Sequence, residues 1–85
     1  MTPRRHPSAV GIGTASRLTD VEVHTIRYWE EEFAPYLEPI RTEGGQRRYG
    51  PEHLLRLHRV RTLLRDEGFT IPGARRRLTE EAMAA

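Results

Sequence analysis

The first apolar residues of the chain are spaced as they would be on one face of a short helix. Ile12, Ala15 and Leu18 lie three residues apart, and this spacing predicts about two helical turns with a shared apolar face. Thr14 is a residue type that caps helix starts, so we expect it at the N-cap. Asp20 follows where a turn residue is needed and ends the predicted helix.

A second helical pattern follows over about residues 22–33. Ile26, Trp29 and Phe33 fall on one face of this helix and form its apolar stripe. Two short helices that are joined by a brief turn form a helix-turn-helix unit. The second helix of such a unit typically enters the major groove of DNA, so the pattern points to nucleic-acid binding.

Two short runs on either side of a glycine pair predict a β-hairpin. Residues 38–41 and 46–49 flank the segment 42–45, in which Gly44 and Gly45 supply the positive φ angles of a tight turn. Strands this short cannot form a stable sheet alone, so the hairpin must lean on the helices. Beside a helix-turn-helix unit, a hairpin of this kind is a wing.

A third helix is predicted between Gly50 and Gly68. Glycine suits the cap at the start of a helix and the stop just after its end. The apolar stripe of this helix comprises Leu54, Leu57, Val60 and Leu64, and it is widened by Leu55 and Leu63. Thr70 is then placed to cap a last short helix, whose inward-facing residues are Ala74 and Leu78.

Together these elements predict a mainly α fold. Four helices and one short β-hairpin follow in the order helix, helix, hairpin, helix, helix, which is a winged helix-turn-helix. We assign residues 11–79 to this domain. Residues 1–10 are assigned to a flexible basic arm, because they contain two prolines and no periodic pattern. Residues 80–85 are expected to be a tail that is either disordered or cut short.

The composition excludes several classes of protein. The chain has 85 residues and no cysteine, which suits one domain and excludes disulfides, thiolate metal sites and cysteine nucleophiles. No apolar run approaches the roughly 20 residues that span a bilayer. His53 and His58 lie five residues apart on a predicted helix and do not share a face. We therefore expect no metal site, no cofactor and no enzymatic activity.

The charged residues narrow the choice of partner. All 14 basic residues are arginines, and residues 44–85 hold 9 of them against 5 acidic residues. The guanidinium group is a planar fork of donors that suits phosphate and the edge of guanine. An uneven, arginine-only charge fits a nucleic-acid partner. A solvated surface explains the same composition equally well, so charge alone does not decide.

Three motifs occur in an order typical of one family. They are Ile12 to Thr19 followed by Val21 and His24-Thr25-Ile26-Arg27-Tyr28-Trp29-Glu30, then Arg41-Thr42-Glu43-Gly44-Gly45-Gln46-Arg47-Arg48-Tyr49, then Glu67-Gly68-Phe69-Thr70-Ile71. Through these motifs the chain resembles, over about residues 12–79, the DNA-binding domain of the MerR (mercury-resistance regulator) family. It departs from that family at Asp20, where glycine is common.

The resemblance implies that the second helix, about 22–33, lies in the major groove. It implies that the wing, about 40–49, lies on the flanking backbone or the minor groove. The implied DNA-binding residues are His24, Thr25, Arg27, Tyr28, Arg41, Gln46, Arg47, Arg48 and Tyr49. Arg47 and Arg48 point to opposite sides of a strand, so one of them faces DNA, and the resemblance favours Arg47. Arg27 could instead pair with Glu30 or Glu31, one turn away.

The implied role is that of a bacterial transcription regulator that binds double-stranded DNA in the cytoplasm, associated with the nucleoid, with RNA polymerase as a further partner at a promoter. The family's long dimerisation helix does not follow Leu78, and the tail has no apolar heptads. We therefore expect this chain to be monomeric, with a dimer only if a longer C-terminal helix exists in the native protein. Two alternatives stay open: an excisionase-like architectural DNA-binding factor, and a winged-helix protein-interaction module without DNA binding.

Overall fold

A computed structural model of the chain describes residues 9–85 and contains four α-helices and a two-stranded antiparallel hairpin. The helices are α1 (Ile12–Thr19), α2 (Val23–Glu32), α3 (Pro51–Arg61) and α4 (Ile71–Ala84), and the strands are β1 (Ile40–Arg41) and β2 (Arg47–Arg48). The order of these elements confirms the predicted winged helix-turn-helix fold. Within the described residues, no helix is both long enough and apolar enough to cross a bilayer.

The core lies where the four helices meet the inner side of the hairpin. Its buried apolar residues are Ala15, Val21, Ile26, Trp29, Phe33, Leu37, Tyr49, Leu57, Val60, Leu63, Ala74 and Leu78. The predicted stripe of α2 and the two inward-facing residues of α4 are all among them, which confirms those helical faces. Because every helix contributes to one cluster, burial of this cluster fixes how the helices pack.

Two leucines that the pattern placed on apolar faces are exposed, so those two predictions were wrong. Leu18 is 63% exposed because α1 turns Ala15 and Thr19, which lie one turn apart, toward the core. The Thr19 hydroxyl donates to the Ala15 carbonyl oxygen at 2.7 Å, so this polar residue is satisfied where it is buried. Leu55 is 71% exposed because it lies two positions from the buried Leu57, about 200° around the helix axis.

Helix α1 begins before its predicted cap. Gly11 is the N-cap in an extended conformation, and its carbonyl oxygen accepts the Ala15 amide at 2.9 Å. Thr14 lies inside the first turn, where its hydroxyl accepts a hydrogen bond from Arg17 at 3.1 Å, so the prediction of a Thr14 cap was wrong. Because glycine brings no side chain to the cap, the first amides of α1 have no capping oxygen.

Two arginines contact the turn between α1 and α2, one at the end of α3 and one just after it. Asp20 adopts the left-handed conformation, with φ of 59°, which confirms the predicted turn at this residue. Arg65 donates to the Asp20 carbonyl oxygen at 2.8 Å, and the Arg61 guanidinium lies 3.5 Å from the Asp20 carboxylate. Val21, the next residue, is buried. The left-handed conformation is unfavourable for residues other than glycine. At Asp20 it is held in place by the buried Val21 and by the two arginines.

The hairpin is shorter than predicted, and only one of its glycines has a positive φ. Ile40 pairs with Arg48 and Arg41 pairs with Arg47. Gly45 has φ of 83°, whereas Gly44 has no positive φ, so the prediction for Gly44 was wrong. A turn of this kind needs a left-handed residue at a single position, and Gly45 supplies it.

The chain before α1 also pairs with the hairpin. Val10 and Tyr49 form an isolated antiparallel bridge, in which the Val10 amide donates to Tyr49 at 2.9 Å and the Tyr49 amide donates to Val10 at 2.8 Å. The rest of the predicted basic arm, residues 1–8, lies outside the described residues. The inner end of the wing is thus attached to the segment that leads into α1.

The end of α3 and the start of α4 follow the sequence signals. The chain continues from α3 through a π-helical turn, Thr62–Asp66, and leaves it at Gly68, whose φ of 74° confirms the predicted stop. Thr70 caps α4 as predicted, because its hydroxyl accepts the Gly73 amide at 3.1 Å. Both ends therefore rely on local residue chemistry that is visible in the sequence.

Helix α4 runs to Ala84, beyond the predicted end of the domain at residue 79. Glu81 accepts hydrogen bonds from Arg59 of α3, and this bond lowers the pKa of Glu81. Residues 80–84 are helical, whereas the sequence pattern predicted a tail there. An ion pair between two helices leaves no periodic trace in a sequence, which explains the difference. The remaining domain bounds stay predictions.

Candidate nucleic-acid interface

Helix α2 presents a polar face to solvent. His24, Arg27 and Tyr28 are exposed and lie on one side of the helix, because residues three and four apart are neighbours on a helix surface. Tyr28 is 50% exposed, and Thr25 is half-buried beside them. The opposite side of α2 is buried. The predicted recognition helix therefore offers donors and an aromatic hydroxyl to a partner.

A polar pocket lies between the start of α1, the exposed face of α2 and the wing. Its volume is about 300 Å³. It is lined by Gly11, Ile12, Arg27, Gly45, Gln46, Arg47 and Arg48. The fold thus brings Arg27 of the predicted recognition helix together with three polar residues of the predicted wing.

The Arg48 guanidinium lies beside Gly11, the residue just before α1. A Cβ atom added at Gly11 would lie 3.2 Å from Nη1 of Arg48, so only glycine leaves the guanidinium this space without a shift. The sequence analysis missed this use of Gly11, and the one available signal was its position just before a helix. A guanidinium therefore lies beside a helix start whose amides lack a capping side chain and carry partial positive charge.

Arg27 and Arg48 keep their charge free for a partner. Among residues 9–85, no carboxylate oxygen lies within 4.0 Å of either guanidinium. The alternative that Arg27 pairs with Glu30 or Glu31 is therefore not what this structure contains. An unpaired guanidinium at a polar pocket is a suitable group for a phosphate or a base edge.

Arg47 is already paired with an acidic residue of α2. Its Nε donates to Oε1 of Glu30 at 2.7 Å, and the two side chains are 26% and 7% exposed. The hydrogen bond to Glu30 raises the pKa of the Arg47 guanidinium. Of the two adjacent arginines, Arg48 is thus the one whose charge is not compensated. The resemblance favoured Arg47.

Tyr49 is a core residue and not a surface residue of the wing. It is 1% exposed, and its hydroxyl donates to Oε2 of Glu30. Burial, and then the bond to Glu30, raise the pKa of Tyr49 far above its ordinary value. This burial contradicts the predicted contact between Tyr49 and DNA, because a phenol that is enclosed by protein cannot reach a partner.

The two remaining predicted residues lie at the tip of the wing and are exposed. Arg41 donates from Nη1 to the Gly45 carbonyl oxygen at 3.1 Å. The backbone amide of Gln46 donates to the hydroxyl of Thr42 at 3.1 Å, and the Gln46 side chain is exposed. These bonds hold the turn in shape and leave both side chains at the surface.

Sequence reasoning missed Glu30 as the residue that joins the recognition helix to the wing. The structure buries it to 8% exposure and gives both of its carboxylate oxygens a donor. A signal was present, because Glu30 lies one turn after Ile26 and next to Trp29, on the buried side of α2. A buried carboxylate needs partners, and those partners had to come from another element.

Comparison with known proteins identifies a family. The family model described as MerR HTH family regulatory protein matches residues 11–81, which include both helices of the helix-turn-helix unit, the wing, α3 and most of α4. A search of the curated proteins finds no match. The matched family is one of non-enzymatic, DNA-binding transcription regulators. The chain therefore belongs to the MerR HTH family of regulatory proteins.

Proposed function

We propose that this chain binds double-stranded DNA sequence-specifically, with α2 in the major groove and the wing on the flanking backbone or the minor groove. The observation that carries the proposal is the polar pocket, at which Arg27 of α2 and Arg48 of the wing lie together without acidic partners. A surface that spans a groove needs positive groups on two elements at once. The two arginines meet that need.

The groups on α2 are suited to reading bases. Arg27 can donate two parallel hydrogen bonds to the edge of guanine, which is the commonest specific contact in the major groove. His24 and Thr25 lie one turn earlier and offer shorter donors and acceptors. Tyr28 is 50% exposed, and we assign its hydroxyl to a backbone phosphate. We assign base recognition to this face.

The groups on the wing are suited to binding phosphate. The Arg48 guanidinium beside Gly11 and the partial positive charge of the uncapped start of α1 both favour an anion. A backbone phosphate in the polar pocket would accept from both, and the exposed Gln46 and Arg41 would contact neighbouring phosphates. Arg47 and Tyr49 are left out of this set, because both are bonded to Glu30.

The proposal extends to the partners. Double-stranded DNA is the primary partner, RNA polymerase at a promoter is a further one, and action on the nucleoid in the cytoplasm follows from the DNA target. We propose that the 85-residue chain is monomeric. Sedimentation over a range of concentrations tests this last point, and a dimer mass that does not depend on concentration would contradict it.

The test is selection of bound duplexes from a random pool, followed by titration of the selected duplex and a scrambled one at several salt concentrations. A specific binder prefers the selected duplex, and the logarithm of its affinity falls with the logarithm of salt concentration by about 0.9 for each phosphate neutralised. A single half-site among the selected duplexes would agree with a monomer, whereas direct repeats would favour an architectural, excisionase-like factor. No affinity for any duplex at low salt would favour the protein-interaction module.

Substitution of Arg27 and Arg48 then assigns the roles. Arg27→Ala is expected to weaken binding to the selected duplex by about 1–3 kcal/mol and to relax the base preference at one position. Arg48→Ala is expected to weaken binding to all duplexes and to reduce the salt slope by about one phosphate. The matched control is Arg76→Ala, an exposed arginine on α4 away from the pocket.

A further inference from the structure

The carboxylate of Glu30 joins the recognition helix to the wing at two points. Oε1 accepts from Nε of Arg47 at 2.7 Å, and Oε2 accepts from the hydroxyl of Tyr49. Arg47 and Tyr49 lie two positions apart, so both point to the same side of the returning strand. We call these three residues the Glu30 cluster. Its effect is to attach that side of the wing to one carboxylate of α2.

Within residues 9–85, the hydrogen bonds that join the wing to the rest of the chain are those of the Glu30 cluster and those between Val10 and Tyr49. The strands of the wing are two residues long each, too short to be stable alone. The bridge between Val10 and Tyr49 attaches its inner end to the segment before α1 and not to α2. The Glu30 cluster is therefore the hydrogen-bonded link between the wing and the recognition helix.

The chemistry of the cluster suits a fixed geometry. The Glu30 side chain is 7% exposed, so solvent screens it weakly, and hydrogen bonds to a buried carboxylate are short and directional. Arg47 is fixed toward α2, and the next residue, Arg48, lies over Gly11 at the polar pocket. The bond at Arg47 thus helps to determine where the uncompensated guanidinium of Arg48 lies.

We propose that Glu30 is a positioning residue for DNA binding, which sets the wing against the recognition helix through Arg47 and Tyr49. The inference rests on the proposed function, since the positions it sets are those of Arg27 and Arg48. It assigns Arg47 a role inside the protein, as a donor to Glu30. The adjacent arginines of the wing then differ in kind: one positions and the other binds phosphate.

A double-mutant cycle on DNA affinity tests the proposal. The variants are Glu30→Gln, Arg47→Met and the two combined, measured on the selected duplex at a temperature where circular dichroism shows all of them folded. Each single change is expected to weaken binding about tenfold, which is about 1.4 kcal/mol and within the range of coupling between contacting residues. The double variant is expected to be no weaker than either single one, because both remove the same contact.

If Arg47 binds DNA directly, Glu30→Gln is expected to change the DNA affinity differently. In that case Glu30→Gln releases the guanidinium of Arg47, and binding stays the same or becomes tighter while Arg47→Met weakens it. That pattern would overturn the proposal. So would additive losses in the double variant.

Leu78→Ala separates positioning from stability. Leu78 is a buried residue of α4 outside the cluster and the pocket. The variant is expected to melt at a lower temperature and yet to bind with wild-type affinity where it is folded. An equal loss of affinity in this control would overturn the positioning role. If neither wild type nor control binds any duplex, the proposed function itself fails and this inference falls with it.

A spectroscopic readout covers the case in which Glu30→Gln does not fold. The Arg47 side chain is partly exposed. In the variant Arg47→Met, the amide resonances of residues 40–49 and of the facing turn of α2 are expected to shift, while those of α4 stay in place. Weaker DNA binding with all wing resonances unchanged would make Arg47 a direct contact and overturn the proposal.

Discussion

Two contacts between elements of this domain differ in chemistry, one being apolar and the other polar. Where α3 and α4 meet the helix-turn-helix unit, buried Leu57, Val60, Leu63 and Leu78 fill the space between helices. Where the wing meets α2, a carboxylate with two donors fills it. Apolar packing contributes most of the free energy of folding but specifies direction poorly. A satisfied polar cluster contributes less net stability and fixes one orientation.

The difference teaches that stability and DNA affinity should respond to different residues. Changes in the apolar contact should lower the free energy of unfolding and leave the affinity of folded protein alone. Changes near the wing should lower DNA affinity and have a smaller effect on the free energy of unfolding. The four predictions below test that separation, from the largest expected effect on stability to the smallest.

Leu63→Ala should have the largest effect on stability. Leu63 is fully buried, and removing such a side chain costs about 2–5 kcal/mol. Urea unfolding followed by the fluorescence of Trp29 measures the loss. The matched control is Leu55→Ala on α3, the helix that precedes the π-helical turn with Leu63, and it is expected to stay within about 0.5 kcal/mol because Leu55 is exposed. Equal losses at the two leucines would contradict the assignment of the core.

Gly45→Ala should change the shape of the wing and destabilise the domain only moderately. Nothing lies within 4 Å of a Cβ atom at Gly45, so the cost comes from the backbone alone, at φ of 83°. We expect about 1 kcal/mol of destabilisation, and a loss of DNA affinity as the turn moves. The paired variant Gly44→Ala, at an ordinary φ, should change neither quantity. Equal changes of stability and DNA affinity in the two variants would contradict this explanation.

Asp20→Gly should make the protein slightly more stable. Glycine adopts the left-handed backbone at φ of 59° readily, and we expect a gain of about 0.5–1 kcal/mol. The bond from Arg65 survives because it reaches the carbonyl oxygen, and the exposed pair with Arg61 contributes little. Asp20→Asn, which keeps the side-chain shape, should change the melting temperature very little. A loss of stability in Asp20→Gly would show that the ion pair outweighs the backbone.

Glu81→Gln should have the smallest effect, and one that depends on pH. The bond from Arg59 lowers the pKa of Glu81 below its ordinary value of 4.5. The contact therefore stabilises the protein above that value, and its contribution is lost as pH falls through the lowered pKa. The glutamate is 39% exposed, so the effect stays below about 1 kcal/mol.

Melting curves over a range of pH check this last prediction. Wild type should be the more stable at neutral pH, and the difference should vanish in acid. Glu80→Gln, a change at the exposed neighbouring position, is the control and should leave the curve unchanged. A difference between wild type and Glu81→Gln that persists in acid would mean that the ion pair is not its source.

The helices could be predicted because their signals are local. The apolar spacing of α2, the stop at Gly68 and the cap at Thr70 each depend on residues within a few positions of one another. The faces of single side chains were harder to predict. Leu18 and Leu55 read as apolar positions, and their exposure follows from how α1 and α3 are rotated against the rest of the domain. That rotation depends on contacts between elements.

The candidate site was predicted less completely, for the same reason. Arg27 and Tyr28 lie on the exposed face of α2, where the helical pattern puts them. Glu30 and Tyr49 were misread because their pairing joins residues that are far apart in the chain, and because a tyrosine on a basic hairpin resembles a DNA contact. A sequence shows that a carboxylate lies on a buried face, but not which donors it meets.

The bridge between Val10 and Tyr49 has a consequence for any chimeric regulator built from this domain. Tyr49 is held at its hydroxyl by Glu30 and at its backbone by Val10. A fusion junction placed at Gly11 would keep all of α1 and still remove both backbone bonds at the inner end of the wing. The transferable unit therefore starts upstream of the first helix, because the wing and not the helix sets its N-terminal limit.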